Sequence, residues 1–252
     1  MANYNLGFIT DELILQHVME TVEKYRQSIS IIDLSNFNKN LIDPIKLTFD
    51  AKVYGKNLSD IIENEVLRQI DKTNNNHIGY FHQNIFGHLG AGWHVPESGY
   101  DIVNLEDNYF VELKNKHNTM NSSSAQKTYI KMQDKILRNS SATCMLVEVI
   151  AKNSQNKVWK ISLNGERFEN ENIRRVSIDK FYELVTGDPQ SFKKLCEKLP
   201  LIISDAVNGL EDVAIENTVL KELESTSGNL LQSLYLLAFE KYEGFGELDI
   251  SL

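Results

Sequence analysis

Apolar side chains in the first part of the chain recur every three or four residues, which places them on one face of an α-helix. This spacing covers residues 10–26, where Thr10 and two acidic residues supply a helix start, and it covers residues 57–69. A polar run over residues 71–77 predicts a break. The spacing then returns over residues 78–89, and the glycines that close this stretch predict the end of that helix.

Between residues 93 and 162 the pattern changes to alternation and to short continuous apolar runs, which are typical of β-strands. Residues 144–151 read Cys-Met-Leu-Val-Glu-Val-Ile-Ala, and a run this apolar predicts a strand buried on both faces of a sheet. The polar-faced run over residues 122–138 predicts a helix before it. The other predicted strands are 93–96, 99–105, 108–116 and 158–162.

From residue 179 onward the spacing is helical again, with predicted helices at 179–186, 189–199, 211–224 and 228–243. The order of helices, paired strands, a helix and a buried strand predicts an α/β fold, with a central mixed sheet flanked by helices. It also predicts three consecutive parts. These are an N-terminal helical extension over 1–56, an α/β core over 57–165 and a helical C-terminal region over 166–252.

Two acids and a lysine stand in the adjacent predicted strands of the core. Asp101 lies in the run Gly-Tyr-Asp-Ile-Val, and Glu112 and Lys114 lie in Tyr-Phe-Val-Glu-Leu-Lys. Because alternate side chains of a strand share one face, Glu112 and Lys114 point the same way. A hairpin through residues 104–108 would bring Asp101 beside them. Two carboxylates can hold Mg²⁺, and the lysine can orient a water or balance charge on a phosphate.

An earlier segment offers a second arrangement of the same kind. Asp43 precedes Asp50-Ala-Lys52, which repeats the acid-x-lysine spacing. This segment lacks the apolar strand, the following helix and the buried strand that accompany Asp101. We therefore favour the first arrangement.

The spacing of Asp101 and Glu112-Leu-Lys114 resembles the active-site pattern of the PD-(D/E)XK nuclease superfamily. Residues 40–160 also resemble the type II restriction endonucleases that cut GGNCC-like sites. The likeness is carried by four segments, which are 76–86 (NHIGYFHQNIF), 111–121 (VELKNKHNTMN), 124–129 (SAQKTY) and 146–152 (LVEVIAK). One departure from the superfamily pattern is Tyr100, which stands where a proline usually precedes the aspartate.

The resemblance implies a PD-(D/E)XK core that hydrolyses double-stranded DNA with Mg²⁺ and leaves 5′-phosphate ends. It implies Asp101, Glu112 and Lys114 as the catalytic residues. Asp101 and Glu112 would be metal ligands, with Glu65, rather than Glu63, as a further ligand from a helix. A DNA methyltransferase of the same restriction system is the implied functional partner. The alternatives are a structure-specific repair or recombination nuclease of this fold, and a catalytically silent DNA-binding or DNA-mimic protein.

A near-palindromic site also implies a homodimer with one active site for each DNA strand. The last predicted helix carries an apolar stripe that could supply the dimer contacts or could pack within the subunit. Its residues are Leu230, Leu231, Leu234, Leu237 and Ala238.

Several polar residues after the catalytic strand are candidates for DNA contacts, because a helix start with serines, an amide and lysines can bind phosphates or base edges. They are Lys116, His117, Asn118, Ser122, Ser124, Gln126, Lys127 and Lys131. His117 could instead ligate the metal or act as a base. Glu148 interrupts the buried strand and needs a cationic partner, for which Lys114 and Lys152 are the candidates. The polar and aromatic cluster over 77–84 could contact DNA or support the site.

The charge of −9 argues against a nucleic-acid binder until its distribution is considered. Residues 201–252 hold ten acidic and two basic side chains, whereas residues 111–160 hold nine basic and three acidic ones. The positive charge therefore surrounds the candidate site. Two distant cysteines indicate neither a disulfide framework nor a metal motif. No apolar run approaches the roughly 18 residues of a membrane span, so we expect a cytoplasmic bacterial protein.

Overall fold

A computed structural model describes residues 3–117, 119–163, 165–211, 216–239, 241–242, 248 and 250. The chain forms two compact units. The first consists of Met1–Val22 and Asn76–Leu210, and the second of Glu23–Asn75 and Glu211–Leu252. The three consecutive parts inferred from the sequence remain a prediction of domain organisation.

The helices are α1 (Asp11–Ser30), α2 (Leu34–Asn38), α3 (Pro44–Tyr54), α4 (Leu58–Ile85), α5 (Ser122–Arg138), α6 (Ile178–Thr186), α7 (Ser191–Asn208), α8 (Val219–Thr226) and α9 (Leu230–Phe239). The strands are β1 (Ile31–Ile32), β2 (Trp93–His94), β3 (Ile102–Asn104), β4 (Tyr109–Lys116), β5 (Thr143–Ile150), β6 (Asn156–Val158), β7 (Ile161–Leu163), β8 (Glu166–Phe168), β9 (Ile173–Ser177) and β10 (Glu216–Asn217).

The first unit is built on a six-stranded mixed sheet in the order β2-β3-β4-β5-β9-β6. Strand β3 runs antiparallel to both β2 and β4, whereas β4, β5 and β9 run parallel and β6 returns antiparallel to β9. This arrangement confirms the predicted α/β class, with a mixed sheet, flanking helices and further helices toward the C-terminus. The buried run of β5 lies in the middle of the sheet, as its continuous apolar sequence predicts.

The two faces of the sheet bury different side chains because neighbouring strand residues point in opposite directions. Val111, Leu113 and Met145 pack into a core that includes residues of α1, α6 and α7. Phe110 and Leu146 pack on the opposite face, where α5 supplies buried Tyr129 and Met132. Glu112 and Lys114 alternate with the first set, so they belong to the face covered by α5.

Helix α4 corrects the prediction of two helices separated by a break at residues 71–77. The structure has one continuous helix over Leu58–Ile85. The polar side chains of this stretch bond to carbonyls of the preceding turn, with Thr73 donating to Gln69 O at 3.1 Å and Asn75 to Asp71 O at 2.8 Å. Such back-bonding leaves the helix intact, and a polar run therefore need not end it.

Strand β9 is a structural element that the sequence pattern did not predict. Its sequence is Ile173-Arg-Arg-Val-Ser177, and the two arginines hide the alternation of a strand. The predicted strand 158–162 is also divided, because β6 ends at Val158 and β7 begins at Ile161.

The C-terminal helix boundaries also needed correction. Helix α7 runs to Asn208 through Pro200 instead of ending at 199, because Ile202 and Ala206 are buried beyond the proline. The predicted helix 211–224 begins only at Val219, and β10 precedes it. Residues 212–215 of that prediction lie outside the described residues, as does part of the predicted end at residue 243.

The second unit has a core of its own, formed by residues from α2, α3, α4, α8 and α9. Leu231 and Leu234 of the apolar stripe on α9 are buried, and Leu230 and Leu237 pack against this core. The sequence left dimer contacts and packing within the subunit as the two alternatives for that stripe. These leucines pack within the subunit. Among the residues that the structure describes, every helix is too short or too polar to cross a bilayer.

Candidate active site

The hairpin of β3 and β4 brings Asp101 alongside Glu112 and Lys114. Asp101 lies one residue before β3, and its backbone N–H donates to Val111 O at 2.9 Å. Its carboxylate is held as well, because Leu113 N–H donates to Asp101 Oδ2 at 2.7 Å. Backbone groups of β4 therefore hold both the main chain and the side chain of Asp101.

Lys114 connects the two carboxylates. Its Nζ lies 3.9 Å from Asp101 Oδ2 and 3.7 Å from Glu112 Oε2, and it donates to Leu113 O at 3.0 Å. Glu112 is nearly buried, whereas the Lys114 and Asp101 side chains are 31% and 30% exposed. The group is therefore open to solvent, and a substrate can reach it.

Lys131 of α5 is a fourth member of this group. Its ammonium contacts Glu112 Oε1, donates to Gly99 O at 2.6 Å and lies 4.3 Å from the centroid of the Tyr100 ring. The sequence predicted a DNA contact for Lys131 and gave no sign of its contact with Glu112, because the two residues are 19 positions apart and in different elements.

Tyr100, which directly precedes Asp101, takes a structural role. Its hydroxyl donates to Lys131 O at 3.3 Å, and its ring packs against Phe110 at 5.4 Å between centroids. Burial raises the pKa of the Tyr100 hydroxyl well above its usual range. Tyr100 therefore stays neutral and joins the Asp101 hairpin to α5.

The donor atoms at this position suit a hard divalent cation. Three oxygens from Asp101, Glu112 and the Leu113 carbonyl surround the Lys114 ammonium. Oxygen donors around one cationic group are the kind of ligand set that Mg²⁺ takes, with water completing the coordination. Among the described residues, no group of three histidine, cysteine or acidic side chains is arranged to hold a metal. The fit therefore rests on two carboxylates and a carbonyl.

Glu148 forms a buried charge network beside this group, and its partners correct the prediction of Lys114 or Lys152. The Glu148 carboxylate pairs with Arg175 of β9, and Glu148 Oε2 lies 3.0 Å from His117 Nδ1. Arg175 Nη2 also reaches His117 Nδ1 at 2.8 Å and His117 O at 3.2 Å. The sequence pattern did not predict β9, so it gave no reason to place Arg175 beside Glu148.

The network fixes His117 directly after β4. Both charged partners lie within 3.0 Å of Nδ1, which either donates to Glu148 or accepts from Arg175 according to its tautomer, and Nε2 is the ring nitrogen that neither partner contacts. His117 thus lies three residues beyond Lys114 with its ring orientation set by Glu148 and Arg175. A DNA contact by His117 stays a prediction.

The remaining DNA-contact candidates lie at the start of α5 and at the end of β4. Lys116 and Lys127 are exposed, and Lys116 shares the face of Glu112 and Lys114 by alternation. Ser122 and Ser124 are exposed in the first turn of α5, which Asn121 caps by accepting from Ser124 N–H at 2.8 Å. Gln126 donates to Ser162 O at 3.0 Å, so its amide nitrogen is committed to β7. Asn118 lies outside the described residues.

The alternative arrangement around Asp50 is wrong because its residues lie at a helix. Asp43 is the N-cap of α3 and accepts from Lys46 N–H at 3.0 Å. Asp50 pairs with Lys46 one turn earlier on the same helix. Residues two apart on a helix do not share a face, so Asp50 and Lys52 cannot act as an acid-x-lysine pair.

Glu65 lies in the part of α4 that belongs to the second unit. Its carboxylate accepts from Arg68 Nε at 2.7 Å and from Gln69 Nε2 at 3.4 Å. Burial alone would raise the pKa of Glu65, but the hydrogen bonds from Arg68 and Gln69 outweigh it and the pKa is lowered. Glu65 is thus a charged, locally paired carboxylate, and its role as a metal ligand stays a prediction.

The polar cluster of residues 77–84 divides between surface and interior. Tyr80 is 54% exposed, whereas His82 is partly buried. Burial, with a smaller contribution from His17, lowers the pKa of His82 to about 4. His82 is therefore a partly buried side chain that is neutral at neutral pH, which favours structural support over DNA contact for this member of the cluster.

Comparison with known proteins adds a family to this geometry. Residues 6–208 match the family described as Eco47II restriction endonuclease. The type II restriction enzyme Sau96I of Staphylococcus aureus is 31% identical over 214 residues, which cover 81% of this chain and 82% of that protein. The type II restriction enzyme Eco47II of Escherichia coli is 30% identical over 206 residues, which cover 77% and 85%. The family match contains the whole hairpin site.

Proposed function

The chain belongs to the Eco47II restriction endonuclease family, a family of type II restriction enzymes, and we propose that it cuts double-stranded DNA at a short, GC-rich, nearly palindromic site of the GGNCC kind. The observation that carries the proposal is the meeting of Asp101, Glu112 and Lys114, with one ammonium within 4 Å of both carboxylates. The β3–β4 hairpin, the parallel strand β5 and the covering helix α5 support a PD-(D/E)XK core.

Asp101 and Glu112 would hold Mg²⁺ together with the Leu113 carbonyl. Such an ion would polarise the scissile phosphate and lower the pKa of a bound water. Lys114 orients the attacking water and stabilises the negative charge that develops on the phosphate oxygens. The water oxygen bonds to phosphorus while the bond to the 3′ oxygen breaks, leaving a 5′-phosphate and a 3′-hydroxyl.

The exposed lysines beside the hairpin supply the electrostatic part of DNA binding. Lys116 and Lys127 lie on the segment where basic side chains outnumber acidic ones, and each can neutralise a phosphate. A nearly palindromic site further requires two copies of the chain related by a two-fold axis. The proposal therefore includes a homodimer and a companion methyltransferase that modifies the same site.

Plasmid cleavage tests this function. With Mg²⁺, the wild-type protein should give discrete fragments whose ends, once sequenced, share one site. Asp101→Ala, Glu112→Ala and Lys114→Ala should each abolish cleavage and leave the fold intact. Asp134→Ala is the matched control. Asp134 is an exposed acid on α5, and its ion-pair partner among the described residues is Arg138.

Three results would contradict the proposal. Substantial cutting by Glu112→Ala in Mg²⁺ would remove the hairpin from the chemistry. Cutting that depends on branched or gapped DNA, with no discrete fragments from a plasmid, would indicate a structure-specific nuclease instead. The absence of cleavage by well-folded wild-type protein on DNA of many sequences would favour a silent DNA-binding protein.

A further inference from the structure

Four charged side chains meet at the hairpin, and their charges cancel. Asp101 and Glu112 supply two negative charges, and Lys114 and Lys131 supply two positive ones. Lys114 lies near one oxygen of Glu112, at 3.7 Å from Oε2, while Lys131 contacts the other, Oε1. A divalent cation that approaches Glu112 therefore meets a neutral cluster in which both oxygens already have a cationic neighbour.

The Lys131 ammonium already has partners within the protein, unlike that of an exposed lysine free to bind a phosphate. Its ammonium is held by a carboxylate, a backbone carbonyl and the face of an aromatic ring. These are the groups that bind ammonium ions in proteins. The side chain is nevertheless 40% exposed and comes from α5, so it can leave Glu112 without disturbing β4.

We propose that Lys131 is a built-in competitor for the divalent cation at Glu112. Without metal its ammonium occupies Glu112 Oε1, where its positive charge opposes a divalent cation at the same carboxylate. The inference rests on the proposed metal site of Asp101 and Glu112. The Lys114 ammonium lies among the oxygens proposed for the metal, but this lysine belongs to the proposed chemistry, so Lys131 is the lysine whose removal tests the competition.

Removal of the Lys131 charge should therefore tighten metal binding. In Lys131→Met the stem can still pack on Tyr100, but Glu112 Oε1 is free and the cluster has a net charge of −1. Two unit charges about 4 Å apart in a partly solvated site interact strongly enough that we expect a gain on the order of tenfold in affinity. A residue that merely positioned Glu112 would give the opposite result, a loss of affinity.

The measurement is a Mn²⁺ titration of DNA-free protein, read from the loss of the electron paramagnetic resonance signal of the free ion. Lys127→Met is the matched control, because it removes the same charge from an exposed position on the same helix. It should leave the affinity at Glu112 nearly unchanged. Lys131→Arg keeps the charge and should bind Mn²⁺ no more tightly than the wild type. Glu112→Gln should lose the site.

The outcomes separate the two levels of the argument. If the wild type binds no Mn²⁺, or if Glu112→Gln binds it normally, the proposed metal site is wrong. The proposed competition between Lys131 and the metal is then wrong as well. If Glu112→Gln loses the ion but Lys131→Met binds it equally or less tightly, the metal site stands and the competition is overturned. Equal gains in Lys131→Met and Lys127→Met would show a general charge effect, which also overturns it.

Discussion

At the residue scale, alternation along β4 was enough to predict that Glu112 and Lys114 share a face, and the short polar connection placed Asp101 beside them. Arg175 and Lys131 could not be predicted in the same way. Each reaches the site from an element distant in sequence, and their contacts depend on the order of strands and the placement of α5. The spacing of residues along the chain gives no information on the order of the strands or on the placement of α5.

Arg175 should make a large contribution to stability. Glu148 is fully buried, and Arg175→Met would leave its carboxylate with His117 as the remaining ionic neighbour among the described residues. Breaking a buried ion pair from one side typically costs about 3–5 kcal/mol of unfolding free energy. Urea denaturation followed by circular dichroism measures this loss.

The control for Arg175 is another arginine–carboxylate pair on the surface. Arg138 and Asp134 are 77% and 54% exposed, so Arg138→Met should cost at most about 1 kcal/mol. The double variant Glu148→Leu/Arg175→Met should regain much of the stability, because no charge is then left unpaired. Equal, small losses in both single arginine variants would show that Glu148 is not held by Arg175.

At the element scale, the sequence predicted α5 and β5 closely because their patterns are strong and uninterrupted. Helix α5 has a capping asparagine and a regular polar face, and β5 is apolar along nearly its whole length. The sequence-based predictions of α4 and β9 were wrong because their polar residues make hydrogen bonds and ion pairs inside the protein. Asn75 of α4 bonds within its own helix, while in β9 Arg174 donates to Asn156 O and Arg175 pairs with Glu148.

Helix α5 and the end of β4 should form the phosphate-binding edge. Lys116→Ala and Lys127→Ala should each weaken binding to all DNA sequences alike. Each should also reduce the slope of log affinity against log salt by about 0.9, because one phosphate contact is lost. Binding to cognate and random duplexes, measured in Ca²⁺ over a range of salt, tests this.

Lys193→Ala provides the reference for this edge. Lys193 is exposed on α7 and pairs with Glu197 one turn away, so its removal changes the net charge equally without touching α5. An unchanged slope for Lys116→Ala and Lys127→Ala, or the same change for Lys193→Ala, would mean that the edge does not face DNA.

At the scale of the whole molecule, the proposed dimer needs a surface that is not already packed within the subunit. Helix α3 offers one, because Ile45, Phe49 and Val53 are spaced one turn apart and are 49%, 65% and 71% exposed. Neighbouring apolar side chains of this size are unusual on a surface without a partner. A second copy of the chain is the partner that a two-fold DNA site requires.

Phe49→Glu should therefore convert the dimer to a monomer at micromolar concentration, as measured by sedimentation velocity. Leu67→Glu is the control, since Leu67 is 62% exposed on α4 and lies in the same unit. A dimeric Phe49→Glu protein would place the interface elsewhere. A wild-type protein that stays monomeric with and without cognate DNA would count against the dimer itself.

The core of the second unit also bears on how the protein is made. Ile62 and Leu234 belong to the same buried cluster, and β1 pairs with β10 across most of the chain. Contacts between segments so distant in sequence form slowly and cannot form before both segments exist. On the ribosome, this core must wait until Leu234 has emerged, long after the hairpin of Asp101 and Glu112 has been synthesised. Chains that stop before Leu234 would thus lack a complete second unit, and a nuclease that could harm its own host would mature only after α9 has been synthesised.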